Sequence, residues 1–102
     1  MEKSFENVSN NDLFDLADLF KVFSDSSRIR ILFSLFENEK NVNAISKELG
    51  ISQSAISHQL RYLKDSNLVK SRRNGQSIFY ALSDSHVEFI IKLGLEHLYE
   101  YK

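Results

Sequence analysis

The chain has 102 residues, enough for one domain and too few for a second lobe, so a multi-domain enzyme is excluded. It has no cysteine, which rules out disulfides, thiolate metal sites, cysteine nucleophiles and iron–sulfur clusters, and leaves only His, Asp and Glu to hold a metal. The net charge of -1 hides a dipole: residues 1–39 carry four basic and eight acidic groups, residues 40–80 seven and two, and residues 81–102 two and four.

The first ten residues, MEKSFENVSN, lack an apolar signal core and need not fold. The longest apolar run is only Ile78 to Leu82, so no membrane partner is expected and a cytoplasmic location follows. Leu13, Leu16, Ala17, Phe20 and Phe23 recur at helical spacing, with Asn11 or Asp12 as cap, and predict a first helix. A polar break at Ser24 to Ser27 precedes a second helix built on Ile29, Leu32, Phe33 and Phe36, whose pattern ends over Glu37 to Asn41. Asn43 is placed to cap a short third helix through Leu49, and Gly50 follows where a left-handed residue is needed. Ser52 then caps a fourth helix with a buried stripe of Ile56, Leu60 and Leu63, ending near Ser66.

From Leu68 the period changes to two, and Asn74-Gly75 predicts a hairpin closed by a type I′ turn. After Ser83 the helical pattern returns with Val87, Ile90, Ile91, Leu93, Leu95 and Leu98, apolar on more than one side. One face of this last helix is expected to pack on helix one of its own domain and the other on a second subunit, with Gly94 allowing close approach. The fold class expected is therefore mainly α with a β-hairpin wing, a single winged helix-turn-helix domain over 1–102 that forms a homodimer through its first and last helices.

Helix, glycine turn, helix and basic hairpin is the order in which the second helix enters a DNA major groove and the wing follows the backbone. Opposite the buried stripe of helix four lie Ser54, Ser57, His58 and Arg61, with Gln53 at the amino-terminal end. A solvated helix face would more usually carry Glu and Lys. Gln53 suits an adenine edge, the serines suit base edges or phosphates, and Arg72, Arg73 and Gln76 in the hairpin suit phosphate or minor-groove contact. From Leu49 to Tyr80 the only acid is Asp65, so a polyanion would find its attractive surface here, although an ordinary solvated face accounts equally well for the five-charge excess of residues 40–80. Double-stranded operator DNA is the expected partner.

Two of the three histidines lie in the last helix, in the pattern Asp84-x-His86-x10-His97-x2-Glu100. At about 1.5 Å rise per residue, His86 and His97 are roughly 16 Å apart along one helix, too far to share an ion whose ligands sit about 2 Å away. Eleven residues make three turns, so both lie on one face. In an antiparallel helix dimer a single two-fold axis sets 86 opposite 97, 90 opposite 93 and, within one residue, 84 opposite 100. Each end then gathers Asp84 and His86 from one subunit with His97 and Glu100 from the other. Two imidazoles and two carboxylates fill a tetrahedral shell, which suits a closed structural or regulatory Zn(II) site and leaves no place for a catalytic water. Singly, each residue is as well explained as a cap, an interface histidine or a solvated terminal acid.

Asp25-Ser-Ser-Arg-Ile-Arg-Ile-Leu32, Ile51-Ser-Gln-Ser-Ala-Ile-Ser-His-Gln-Leu60, the wing around Arg73-Asn-Gly-Gln76 and the Asp84, His86, His97, Glu100 pattern together resemble the ArsR/SmtB family of metal-responsive winged-helix repressors. The resemblance implies a dimeric repressor that holds operator DNA when metal-free and releases it when zinc joins the carboxy-terminal helices. Val42-Asn43-Ala44 stands where other members carry a cysteine pair, so thiolate sensing of arsenic, cadmium or lead is not implied. With Glu100 at a position that varies between His and Glu among relatives, Co(II) and Ni(II) remain open beside Zn(II). The other readings are a winged-helix regulator with a vestigial metal site, a protein-interaction module without a DNA role, and a metallohydrolase using Glu100 as base. The last has no pocket-forming elements left to build it, so no enzyme activity and no small-molecule substrate are expected.

Overall fold

A computed structural model describes residues 5–102. Phe5–Asn7 form a 3-10 turn, so part of the segment that need not fold is ordered, and residues 1–4 of it lie outside the described residues. Five helices and three strands follow: α1 (Asn10–Phe23), α2 (Ser26–Ser34), β1 (Lys40–Asn41), α3 (Val42–Leu49), α4 (Gln53–Asp65), β2 (Val69–Asn74), β3 (Ser77–Leu82) and α5 (Ser85–Glu100). No helix among the described residues is long and apolar enough to cross a membrane.

The caps explain where the helices start. Ser9 Oγ accepts the Asp12 amide at 3.0 Å while the Asp12 carboxylate accepts the Ser9 amide, a reciprocal capping box. Asp12 is thus the third residue of α1, and the cap lies earlier than Asn11. Asp25 caps α2 by accepting the Arg28 amide at 3.1 Å, which draws Ser26 and Ser27 out of the expected break and into the first turn. Asn41, rather than Asn43, caps α3 through the Ala44 amide. Gly50 has φ +67° and ψ 31° and closes α3 as expected, because only a residue without Cβ takes that conformation freely. Ser52 caps α4 through the Ala55 amide, also as expected.

The wing differs in two respects. Asn74 pairs with Ser77, so the two central turn residues are Gly75 and Gln76, and Gly75 alone of the two has positive φ, at +65°. The expected type I′ turn over Asn74-Gly75 needs positive φ at both; a glycine at the first central position meets the type II′ requirement instead. Lys40 and Asn41 pair with Tyr80 and Phe79, giving the sheet order β1-β3-β2. Two residues are too few to reveal alternation, so this edge strand left no mark on the sequence pattern.

The largest fully buried side chains are Ile31 and Leu32 of α2, Ile45 of α3 and Ile56, Leu60 and Leu63 of α4. The helix-turn-helix is therefore also the core, and the outer face of α4 is rigidly set by its inner one. Leu60→Ala should cost about 2–5 kcal/mol of stability, read as a shift in the denaturant midpoint.

The helix packing corrects one expectation. The main partners of α5 are α2 and β3, not α1. Between α1, α2 and α5 lies an open apolar hollow of about 460 Å³, lined by Phe20 and Phe23 of α1, Ile29 of α2 and Ile90, Gly94 and Leu98 of α5. Only Val22 and Phe23 of α1 are buried, and Leu13, Leu16 and Phe20 of its apolar stripe are half exposed. On α5, Leu93 and Leu98 are uncovered, and a Cβ added at Gly94 would meet nothing within 4 Å.

Candidate nucleic-acid interface and metal-donor face

Sinking Ile56, Leu60 and Leu63 into the core leaves Gln53, Ser54, Ser57, His58 and Arg61 exposed on the opposite face of α4, as the periodicity predicts. Gln53 Nε2 donates to Asn43 Oδ1 at 3.1 Å, so the side chain at the entry of the helix is held by its neighbour on α3. Ser52 and Ser54 hydroxyls lie 3.4 Å apart at the helix amino terminus, where free amides and the helix dipole favour a phosphate. Arg61, two turns beyond Ser54, is exposed and extends the same face.

The wing is tied to this helix. Lys64 Nζ donates to Ser71 Oγ at 2.8 Å, linking the end of α4 to β2. Arg73 and Gln76 are exposed toward the tip. Arg72 is engaged: its Nε donates to both carboxylate oxygens of Glu39 at 2.9 and 3.0 Å, its Nη2 donates to the same carboxylate, and its guanidinium lies 5.3 Å from the Phe79 ring centroid. The hydrogen bond from Arg72 holds the Glu39 carboxyl below its usual range, and the same bond raises Arg72. Because Glu39 is depressed, the pair contributes above the ordinary carboxylate pKa of about 4.3 and is lost only as pH falls through the lowered value. Chemical shifts of the Arg72 side chain should accordingly stay constant between about pH 5 and pH 8.

A second arginine, Arg28, joins three helices. Its Nε donates to the Val22 carbonyl at 2.8 Å and its Nη2 to the Lys21 carbonyl at 3.2 Å, at the end of α1. The guanidinium lies 4.7 Å from the Tyr62 ring centroid on α4, with Nη1 3.5 Å from Gln59 Oε1. Asn43, Glu39 and Arg28 were all missed as contributors by sequence reading. Asn43 reads as a cap, Glu39 falls one residue outside the basic third of the chain, and Arg28 looks like a solvated charge on α2.

The four donors are distributed as one chain requires. Asp84 caps α5, accepting the His86 amide at 2.9 Å, and its Oδ1 lies 3.4 Å from His86 Nδ1. The structure thus brings Asp84 and His86 together despite their divergence on an ideal helix, because Asp84 is in extended backbone. His97 is exposed with its ring 4.9 Å from that of Tyr101, and Glu100 is exposed at the last turn. Among the described residues no three donors of a single chain converge. The donor chemistry fits a divalent cation, with two neutral nitrogens and two anionic oxygens, provided the two halves come from two subunits.

A helix-turn-helix with an exposed polar reading face and a basic hairpin beside it defines a winged helix-turn-helix DNA-binding domain. The family model for bacterial regulatory proteins of the arsR family matches residues 25–71. A transcriptional repressor SmtB homolog from Synechocystis is 36% identical over 95 residues, 93% of this chain and 72% of that protein. The transcriptional activator HlyU of Vibrio cholerae is 40% identical over 81 residues, 79% of this chain and 74% of that protein. Its reduced form superposes with a TM-score of 0.78 over 88% of this chain and 94% of that one, at 36% identity. The homodimeric winged helix-turn-helix domain of Mb0332 from Mycobacterium bovis gives 0.82 at 26% identity, covering 98% and 92%. The chain belongs to the ArsR/SmtB family and is a transcriptional regulator, not an enzyme.

Proposed function

We propose that this protein is a homodimeric, metal-responsive repressor that binds operator DNA when metal-free and releases it when Zn(II) is held between the two α5 helices. The observation that carries the reading is the placement on α5 of Asp84 against His86 at its start and of His97 and Glu100 three residues apart at its end, on a helix whose neighbouring apolar residues are left uncovered. Leu93 and Leu98 of α5 and Leu13, Leu16 and Phe20 of α1 form an apolar surface that one chain does not cover. A second copy covers it, as the homodimeric state of the Mb0332 domain supports.

In the dimer, Gln53, Ser54, Ser57, His58 and Arg61 read the major groove. Arg73 and Gln76 follow the backbone, and the two α4 helices enter successive grooves about 34 Å apart. A bound divalent cation supplies a cross-link between subunits at each end of the α5 pair. Asp84 and Glu100 balance its charge, and His86 and His97 supply nitrogen ligands. Holding α5 of one subunit to α5 of the other fixes the relative rotation of the two domains, and with it the separation of the reading helices. Moving fully from mostly bound to mostly free takes about 5.5 kcal/mol of differential affinity, which two such sites per dimer can share. Co(II) and Ni(II) meet the same donor set, and the competition among the three ions is a matter of geometry.

A regulator of the same fold whose α5 donors are unused is the second reading, since the 40% identity to the transcriptional activator HlyU shows that relatives at this level are not all repressors. Fluorescence anisotropy with duplex DNA from upstream of the protein's own gene separates the two. The proposal expects zinc to lower DNA affinity at constant ionic strength; an unchanged isotherm supports the second reading. In the same assay Arg73→Ala should weaken binding to all sequences and reduce the salt slope by about one, whereas Gln53→Ala and Arg61→Ala should act at particular bases.

A further inference from the structure

We propose that Arg72 positions the wing rather than contacting phosphate, acting through a clamp with Glu39 that spans the sheet over Phe79. This inference rests on the DNA-binding reading above and assigns a different task to one of the wing's basic residues.

The register gives the geometry. Arg72 lies directly across from Phe79, and Asn41 of β1 pairs with the same Phe79 from the other side. Continuing that antiparallel pairing one residue outward sets Glu39 beside Ala81, on the face shared by Phe79 and Arg72. The guanidinium therefore reaches across the middle strand, lies against the Phe79 ring and ends on the carboxylate beyond it. A carboxylate held through Nε and Nη2 balances the guanidinium's charge and, with the aromatic face, fixes its orientation, so the group has less charge to offer a phosphate.

The neighbouring residue is tied on the opposite face. Successive strand side chains alternate, so Ser71 points away from Arg72, and it is Ser71 that accepts from Lys64 at the end of α4. One tether joins β2 to the recognition helix, and the other joins it to the segment just before Asn41, the residue that caps α3. Both helices of the helix-turn-helix thereby hold the hairpin. The tip residues Arg73 and Gln76 are presented at a fixed offset from Gln53 and Arg61, and the phosphate contact of this strand falls to Arg73.

The test uses Glu39→Gln, Arg72→Gln, the double variant and Arg73→Gln, all at exposed positions whose folding is checked by circular dichroism. In the free protein, backbone 15N relaxation at Gly75 and Gln76 should show increased mobility in Glu39→Gln and Arg72→Gln and not in Arg73→Gln. With upstream duplex DNA, Glu39→Gln and Arg72→Gln should each weaken binding about three- to tenfold at the wild-type salt slope. The double variant should be no worse than either single, and Arg73→Gln should lower the slope by about one. The inference is overturned if Arg72→Gln lowers the salt slope by about one while Glu39→Gln tightens binding, since Arg72 is then a phosphate contact that Glu39 restrains. It is equally overturned if neither variant mobilises the wing. A wild-type protein that bound no duplex would sink the DNA-binding reading, while the relaxation data would still decide whether the clamp exists.

Discussion

His97→Ala should reduce zinc affinity by at least about 100-fold and abolish any effect of zinc on DNA binding, leaving metal-free DNA binding within about twofold of wild type. The separation is expected because His97 is exposed, with its ring beside that of Tyr101 near the end of α5, so the core built by α2, α3 and α4 does not depend on it. Zinc binding can be measured by competition with a chromophoric chelator and DNA binding by anisotropy. Asp84→Ala should weaken zinc as well, but with about 1 kcal/mol of lost stability, because that carboxylate also caps α5 through the His86 amide. Loss of metal-free DNA binding in His97→Ala would show that the residue serves folding or dimerisation rather than ion binding.

Leu93→Glu should convert the dimer to a monomer and weaken operator binding by about 100-fold or more, since a monomer loses the advantage of engaging two linked half-sites. Leu93 is 67% exposed in the single chain and lies on α5 between the two histidines, so a carboxylate there is harmless to the monomer but would be desolvated against a second α5. Sedimentation velocity reads the oligomeric state, and an unchanged melting profile at low protein concentration shows that the domain itself is intact. A Leu93→Glu protein that remained dimeric would place the subunit contact elsewhere.

The helix-turn-helix was legible in the sequence because its determinants are local. Gly50 supplies the left-handed residue, Ser52 the cap, and Ile56, Leu60 and Leu63 a periodic stripe that is buried as expected. The exposed face of α4 follows from that stripe by geometry alone. What periodicity cannot tell is which apolar face is buried within the chain and which between chains. Leu13, Leu16 and Phe20 recur at the same helical spacing as Ile56, Leu60 and Leu63, yet they stay half exposed, and α5 rests on α2 and β3. The turn of the wing was displaced by one residue because Asn-Gly and Gly-Gln both offer a glycine, and strand register, a tertiary property, chose between them. Arg72 was read as a free cation because its partner, Glu39, is 33 residues away in sequence. The two donor pairs of α5 were visible through the eleven-residue spacing, while their convergence on one ion is a matter of two subunits.

The central claim is a negative coupling between metal on α5 and DNA on α4, and thermodynamic linkage makes it reciprocal. The most direct measurement is a calorimetric titration of zinc into the free dimer and into the dimer saturated with upstream duplex DNA, in the same buffer. The account predicts stoichiometric binding in both, weaker in the complex by a factor of about 5 to 150 or more, and an equal loss of DNA affinity when zinc is present. Zinc binding of equal or greater strength in the DNA complex would contradict it.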